Sequence, residues 1–242
     1  MGVVALSIVI PAFNEARRLG PTLARLRQYA TDANRVCEVI VVDDGSTDAT
    51  SRLVREFERG PLTMRLLGHT PRRGKGYAVR QGMLVASGAA ALMCDADLSA
   101  PIEELDRLQM WLSRGYDVAI GSRDLSDSKL DPPQPLGRRL MAWAFRALRR
   151  RWLLPAVRDT QCGFKLFTQA AAHDIFGHAT IDGWLFDCEV LGIADRLGYR
   201  IKEVGIIWRN HPDSRVQPWR ELAAAFPTLW TICRRVKALQ CP

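Results

Sequence analysis

The stretch AAALMCDADLSAP, residues 89–101, is an apolar run of strand length that stops abruptly at two aspartates, Asp95 and Asp97. Alternate residues at a strand end send their side chains into the same space. Two hard carboxylate donors there suit Mg²⁺ or Mn²⁺ carrying a diphosphate. An isolated DxD is more often a solvated acidic turn, so the weight rests on what surrounds it.

Outward from that stretch the same pattern repeats. Residues 4–10 are an aliphatic strand closed by Pro11, and residues 15–29 place Leu19, Leu23, Leu26 and Tyr29 at helical spacing. Residues 37–42 form a second apolar strand ending at Asp43, Asp44 and Gly45; Ser46, Thr47 and Asp48 then cap a helix running to about residue 57. A strand at 63–67, a helix at 75–86, the DxD strand, a helix at 102–113 and a strand at 117–120 follow. Strand and helix alternate, and the strands are uniformly apolar. This predicts an α/β fold with a mostly parallel sheet covered by helices on both faces, and in such sheets ligands sit beyond the carboxyl ends of the strands. The polar residues gather at those ends: 11–15, Asp43 and Asp44, Asp95 and Asp97, and Gly121-Ser122-Arg123.

Two relatives of this layout are excluded. A dinucleotide-binding Rossmann unit needs GxGxxG after its first strand, where this chain reads PAFNEA. The later Gly74-Lys75-Gly76 has Val79 in place of a third glycine, and it is not GxxxxGK[ST], so it is no P-loop either.

The chain has 242 residues and a net charge of +8, enough length for one large domain and a charge that speaks about partners. Seven arginines fall between residues 138 and 158, interleaved with Trp143, Phe145 and Trp152. That mixture fits a lipid surface better than a nucleic-acid groove, so no nucleic-acid partner is expected. Residues 136–154 read as an amphipathic helix, lying either on the core or on a membrane, with Arg138, Arg139, Arg146, Arg149 and Arg150 largely on its polar side. Residues 124–135 form a polar loop, a mobile acceptor gate or plain surface. Residues 216–242 make a basic amphipathic tail that rests on anionic headgroups, docks on the sheet or meets a membrane-protein partner. Residues 1–215 are taken as the catalytic domain. No run reaches the roughly 20 apolar residues of a membrane span, the first residues do not resemble a signal peptide, and the six cysteines show no CxxC spacing. The expectation is a cytoplasmic protein bound peripherally to a membrane.

Taken together, SIVIPAFNEA (7–16), EVIVVDDGSTDAT (38–50), RRGKGYAVRQGM (72–83), MCDADLSAP (93–101), IGSRD (120–124), RDTQCGFKLF (158–167), WLFDCEVL (184–191) and KEVGIIW (202–208) resemble the family 2 glycosyltransferases of GT-A fold. Within that family the pattern is most similar to the polyprenyl-phosphate sugar synthases, of the dolichyl-phosphate glucosyltransferase and mannose synthase type. Eight motifs in order over about residues 7–219 carry the likeness. The resemblance implies that Pro11, Ala12, Asn14 and Glu15 line the base and ribose of a nucleotide sugar, that Asp43 and Asp44 grip its uracil or ribose edge, and that Lys75 approaches the diphosphate. It implies Asp95 on the nucleotide side and Asp97 on the metal. Ser99 stands where mannose synthases carry a glutamine ligand, which leaves Asp95, Asp97 and Ser99 as the metal set. Arg123, helped by Arg138, would meet the acceptor phosphate, and Asp159, Gln161 and Gly163 would shape the sugar pocket. Trp184, Asp187 and Glu189 would sit on the following helix, with Trp184 stacking on the sugar or filling core. The implied reaction moves a hexose or N-acetylhexosamine from a nucleotide sugar, UDP-linked by preference and GDP-mannose otherwise, to a polyprenyl phosphate with inversion; the alternatives are a soluble transferase acting on a saccharide hydroxyl and, last, a non-catalytic nucleotide-sugar-binding scaffold. The QxxRW signature of processive synthases is absent.

Overall fold

The computed structural model describes residues 4–57, 62–131, 149–150, 152–209 and 218–240. Seven strands form the main sheet: β1 (Leu6–Ala12), β2 (Cys37–Asp43), β3 (Thr63–Gly68), β4 (Ala90–Cys94), β5 (Val118–Ser122), β7 (Phe164–Thr168) and β8 (Ile201–Gly205). Their order is β3-β2-β1-β4-β7-β5-β8. Two further short strands, β6 (Lys129–Asp131) and β9 (Ile207–Arg209), pair with each other. The helices are α1 (Ala16–Asp32), α2 (Thr50–Phe57), α3 (Lys75–Leu84), α4 (Glu104–Leu112), α5 (Gln169–His178), α6 (Phe186–Arg196) and α7 (Pro218–Ala238).

The continuous apolar strands are buried on both faces, and successive residues feed two separate cores. Ile8, Ile10, Val39 and Val41 pack with Leu19, Leu23, Leu105 and Leu108 of α1 and α4. Val9, Ile40 and Val42 point the other way, among Ala78, Val79 and Met83 of α3. This period-2 split is what a two-sided sheet requires. β3 closes one edge and is only half buried.

The chain walks outward from β1 through β2 to β3, then returns along α3 to lay β4 on the other side of β1. The strand order therefore reverses between β1 and β4. That is the switch point at which a crevice opens at the carboxyl ends, and it brings the first turns of α1 against residues 95–99: Thr22 Oγ1 of α1 donates to Ala96 O at 2.7 Å.

One strand departs from the parallel pattern. β7 runs antiparallel between β4 and β5, with Cys94 opposite Phe164 and Ile120 opposite Lys165. Reversal places the start of β7 at the carboxyl ends of its neighbours. The loop that precedes it, residues 159–163, is thereby delivered to the same rim as the DxD.

The expected amphipathic helix over 136–154 lies mostly outside the described residues, as does Arg138. The part that is described corrects one expectation. Arg149 is not on a solvated face but fully buried. Its guanidinium donates to the carbonyls of Leu154 (3.2 Å), Val157 (2.8 Å) and Arg158 (2.8 Å). These carbonyls lie in the irregular segment that follows the helix, where no regular ladder supplies amide partners, and the buried arginine satisfies three of them. The tail is helical as α7, and its apolar residues Leu229, Ile232, Cys233 and Val236 are buried in the core that also holds α6. Of the three placements open to the tail, this face takes the one on the protein.

Candidate active site

Each loop at the carboxyl rim is held by its neighbour. Beyond β1, Asn14 adopts φ 55° and its Oδ1 accepts from Thr47 N (2.8 Å) and Asp48 N (3.3 Å), while Asn14 N donates to Ser46 Oγ (2.9 Å) and Glu15 N to Thr50 Oγ1 (2.8 Å). Asp43, at the end of β2, accepts from Ser46 N (2.8 Å) and from the Ser51 hydroxyl. Asp44 accepts from Arg73 N (2.8 Å) and Gly74 N (2.9 Å), and His69 Nε2 lies 2.8 Å away. These polar side chains fix the turns around the crevice. Pro11 and Ala12 are the last residues of β1 on this rim. Asp44 in particular sets the path of residues 69–74, which lead directly to Lys75.

Lys75 reaches across the crevice, its ammonium 2.6 Å from Asp95 Oδ1. Burial alone would lower the lysine pKa, but the field of Asp95, Asp187 and Asp97 outweighs it and keeps the ammonium charged. Asp97 is held differently. Its Oδ1 accepts from Ser99 N (3.1 Å) and Ser99 Oγ (2.9 Å), and Arg18 Nη1 of α1 stands 3.4 Å from Oδ2. Arg18 also grips Glu15 through two nitrogens, at 2.7 and 2.5 Å. The carboxylates therefore converge at the switch point with Ser99 bracing Asp97.

The donor set of two carboxylates and a hydroxyl, all hard oxygens, fits Mg²⁺ or Mn²⁺. Among the described residues no group of three His, Cys, Asp or Glu side chains forms a closed metal cage. An open site of this kind leaves the remaining coordination to phosphate oxygens and water, as these cations prefer. Gly163 backs the site so closely that a Cβ there would stand 2.0 Å from Asp95 Oδ2. Gly163→Ala is accordingly expected to push the Asp95 carboxylate off Lys75 and to weaken Mn²⁺ binding in the presence of nucleotide by about tenfold or more, measured by titration with the paramagnetic ion. Unchanged metal affinity would mean that Asp95 is not a ligand.

On the far side of β7 lies a second ion pair. Arg123, just past β5, binds Asp159 through Nε (2.7 Å), Nη2 (2.9 Å) and its own backbone N (3.1 Å). Its guanidinium lies 5.0 Å from the ring centroid of Trp208. The peptide before Asp159 is anchored in turn, because Glu203 of β8 accepts from Arg158 N (2.9 Å) and Asp159 N (2.7 Å). Gln161 N donates to Asp159 Oδ1 at 3.1 Å, and Gln161 Oε1 is buried with no partner among the described residues.

Burial would raise the Asp159 carboxyl, yet the Arg123 guanidinium more than reverses it and holds the pKa at about 2. Because the folded value lies below the unfolded one, the stability this contributes is fully present above about pH 4 and disappears as pH falls towards 2. In urea titrations the wild type is expected to lose on the order of 2 kcal/mol across that window. An Arg123→Gln/Asp159→Asn double variant is not. Parallel pH curves for the two proteins would contradict the pairing.

A third pair is wholly buried. Lys165 of β7 contacts Asp187 at the start of α6 and donates to Cys162 O at 2.5 Å. It ties the 159–163 loop to α6, and desolvation raises the pKa of Asp187. Glu189 accepts from Thr180 N (2.8 Å) and Ile181 N (2.7 Å), fixing the turn ahead of α6. Trp184 lies on that turn, two residues before the first residue of the helix, and is 38 % exposed, which excludes the core-filling alternative. Its ring centroid is 5.0 Å from Lys75 Nζ. The turn sits hard on the glycines flanking Lys75: Tyr77 N donates to Asp182 O (3.2 Å), and a Cβ on Gly76 would come within 2.3 Å of Ile181 O.

The structure thus gathers Lys75, Asp95, Asp97, Ser99, Glu15, Gly163 and Trp184 around one crevice, and Arg123, Asp159 and Gln161 beside it across β7. Asn14, Asp43, Asp44 and Glu189 are engaged in holding turns. Arg18, Lys165 and Glu203 are among the residues of this network not singled out from sequence. Arg18 carried a signal, an arginine three residues after Glu15 on a helix; Lys165 carried another, a lone cation inside an apolar strand. Glu203 had none.

The sequence profile described as Glycosyl transferase family 2 matches residues 7–176. A dolichyl-phosphate beta-glucosyltransferase of Dictyostelium discoideum is 33% identical over 228 residues, covering 89% of this chain and 70% of that protein. The protein of the same name from Drosophila melanogaster is 34% identical over 241 residues, covering 93% and 74%. Among solved structures, the glucosyl-3-phosphoglycerate synthase of Mycobacterium tuberculosis in complex with Mn²⁺ and UDP-glucose superposes with a TM-score of 0.70 at 20% identity, over 95% of this chain and 79% of that one. At that identity the likeness concerns the GT-A fold.

Proposed function

Since the chain belongs to glycosyl transferase family 2 and is a glycosyltransferase, we propose that it transfers glucose, or a related hexose, from a UDP-sugar to the phosphate of a polyprenyl phosphate, with inversion to a β-linked product. The observation that carries this reading is the Arg123–Asp159 pair. Nε and Nη2 of the guanidinium hold Asp159, and among the described residues Nη1 has no hydrogen-bond partner, so on this reading it serves an incoming oxyanion. The carboxylate beside it is too weak a base, at about 2, to deprotonate a sugar hydroxyl.

A hydroxyl acceptor requires a base in the transition state. A phosphate monoester does not, because its second pKa of about 6 leaves it ionised at neutral pH. Its oxygen attacks the anomeric carbon as the bond to the nucleotide diphosphate breaks, and no proton moves. The difficulty is instead electrostatic, an anion approaching an anion. On this reading Arg123, with Arg138, takes the charge of the acceptor. Lys75 leaves Asp95 to follow the charge that develops on the diphosphate. Asp97, braced by Ser99 and Arg18, and Asp95 would hold Mg²⁺ or Mn²⁺, which when bound neutralises the leaving group. Pro11, Ala12, Asn14, Glu15, Asp43 and Asp44 frame the nucleotide, and Gln161, Gly163 and Trp184 the sugar. The dolichyl-phosphate beta-glucosyltransferase relatives and the UDP-glucose and Mn²⁺ bound by the structural neighbour support this choice.

The acceptor would be met at the cytoplasmic surface of a membrane. Among the described residues no helix is long and apolar enough to cross one; on this reading these residues meet it with their surface or through a membrane-protein partner. The test is to incubate the purified chain with Mn²⁺, a short polyprenyl phosphate and radiolabelled UDP-glucose, UDP-N-acetylglucosamine or GDP-mannose, then extract the organic phase. Lipid-borne label from UDP-glucose is the expected result. Label from GDP-mannose alone would reassign the donor, and none from any would overturn the reading.

A further inference from the structure

The final helix carries a surface that the catalytic reading leaves unused. With Leu229, Ile232, Cys233 and Val236 turned into the core, the 100° step of a helix sets Phe226, Trp230, Arg234 and Lys237 on one outward stripe beside it. Phe226 is 53 % and Trp230 43 % exposed, large for aromatic side chains on a folded protein. The Arg234 guanidinium lies 5.3 Å from the Trp230 ring centroid, and Arg235 is exposed close by. No acidic residue occurs from residue 225 to the end of the sequence.

The patch is joined to the acceptor side by a short braced path. Phe226 meets Trp152 edge-on, with ring centroids 5.0 Å apart, and Cys233 Sγ lies 3.7 Å from Trp152 O. From Trp152 the chain passes the buried Leu154 and Val157, where the Arg149 guanidinium pins three carbonyls, and arrives at Asp159, the partner of Arg123. Seven peptide steps span at most about 25 Å, so a short, braced stretch of chain links the aromatic stripe to the acceptor-side cation.

We propose that the stripe formed by Phe226, Trp230, Arg234 and Lys237 is a contact for an anionic phospholipid surface, seating the aromatic rings at the acyl boundary and the cations among the headgroup phosphates. The proposal rests on the reading of the acceptor as a polyprenyl phosphate, whose phosphate then lies in the headgroup plane on the side of Arg123. Charge selects this occupant. Aromatic rings flanked by cations match an interface that is apolar below and negative above. A second copy of the chain would set Arg234, Arg235 and Lys237 against their own images across a twofold axis, with no carboxylate on this segment to answer them.

The test uses the full chain and vesicles of phosphatidylcholine, with and without phosphatidylglycerol, at low and high salt. Wild type is expected to sediment with the anionic vesicles at low salt and to be released at high salt. Phe226→Ser/Trp230→Ser and Arg234→Gln/Arg235→Gln/Lys237→Gln are each expected to bind about tenfold more weakly or worse. Lipids brominated on the acyl chain are expected to quench wild-type tryptophan fluorescence more than that of Trp230→Phe. Both multiple variants are expected to keep wild-type turnover of a short, water-dispersed polyprenyl phosphate while turnover of a long-chain one in anionic vesicles falls about tenfold. Vesicle binding that is the same in variants and wild type overturns the proposal, as does a loss of self-association in the variants with no change in lipid binding. If wild type binds vesicles through the stripe yet glycosylates no polyprenyl phosphate, the lipid contact stands and the acceptor assignment falls; turnover of the short acceptor without vesicle binding is the reverse outcome.

Discussion

Arg123→Ala is expected to lower kcat/KM for a polyprenyl phosphate by about 10³ while leaving the affinity for the nucleotide sugar within about twofold. A charge-assisted contact to an oxyanion in a partly buried site accounts for roughly 3–4 kcal/mol when removed, and the donor crevice lies on the other side of β7. The alanine variant also leaves Asp159 buried without its cation, a loss that destabilises by about 3–5 kcal/mol in comparable pairs. Arg123→Ala/Asp159→Asn removes both charges, and is expected to recover most of the stability and none of the activity. Arg123→Lys keeps the charge but not the fork, and should fall between. Undiminished turnover in the well-folded double variant would show that the phosphate is met elsewhere.

Asp97→Asn is expected to reduce metal-dependent turnover by about 10³ and to weaken Mn²⁺ binding in the presence of UDP by 10- to 100-fold or about that. The substitution keeps the shape of the side chain and its bonds to Ser99 N and Oγ at Oδ1, so it tests charge more than packing. Ser99→Ala removes only a brace and is expected to cost far less. Full turnover of Asp97→Asn in a metal-free preparation would remove the metal from the account.

Much of this was legible because the informative residues sit where the periodicity breaks. The uninterrupted apolar runs of β1, β2 and β4 required a two-faced parallel sheet, and their abrupt polar ends marked the rim. The direction of β7 was not legible. A five-residue strand such as Phe164–Thr168 has the same alternation read either way, and only the path of the chain before it reverses it. Nor was the fate of Arg149: amid seven arginines it reads as one more solvated cation, whereas three carbonyls brought together by the fold make it a buried brace. Asp43 and Asp44 show the same limit from the other side. Their type and position marked them for a ligand, but Asp43 is occupied by an amide and a hydroxyl of the turn and helix just after it, and Asp44 by amides from a turn about thirty residues further on. Trp184 could be read as core or platform from sequence, because exposure at a turn depends on what packs beneath it, here the two glycines beside Lys75.

The claim beneath these assignments is that the acceptor brings its own negative charge, so the site supplies cations and needs no base. The most direct measurement compares polyprenyl phosphate with the free polyprenol of the same chain length, under identical donor, metal and detergent. The account predicts a glycosylated lipid from the phosphate alone, with a rate that does not fall as pH drops from 8 to about 7, where the phosphate remains ionised. Comparable glycosylation of the alcohol, rising with pH as a carboxylate or other base is uncovered, would contradict it.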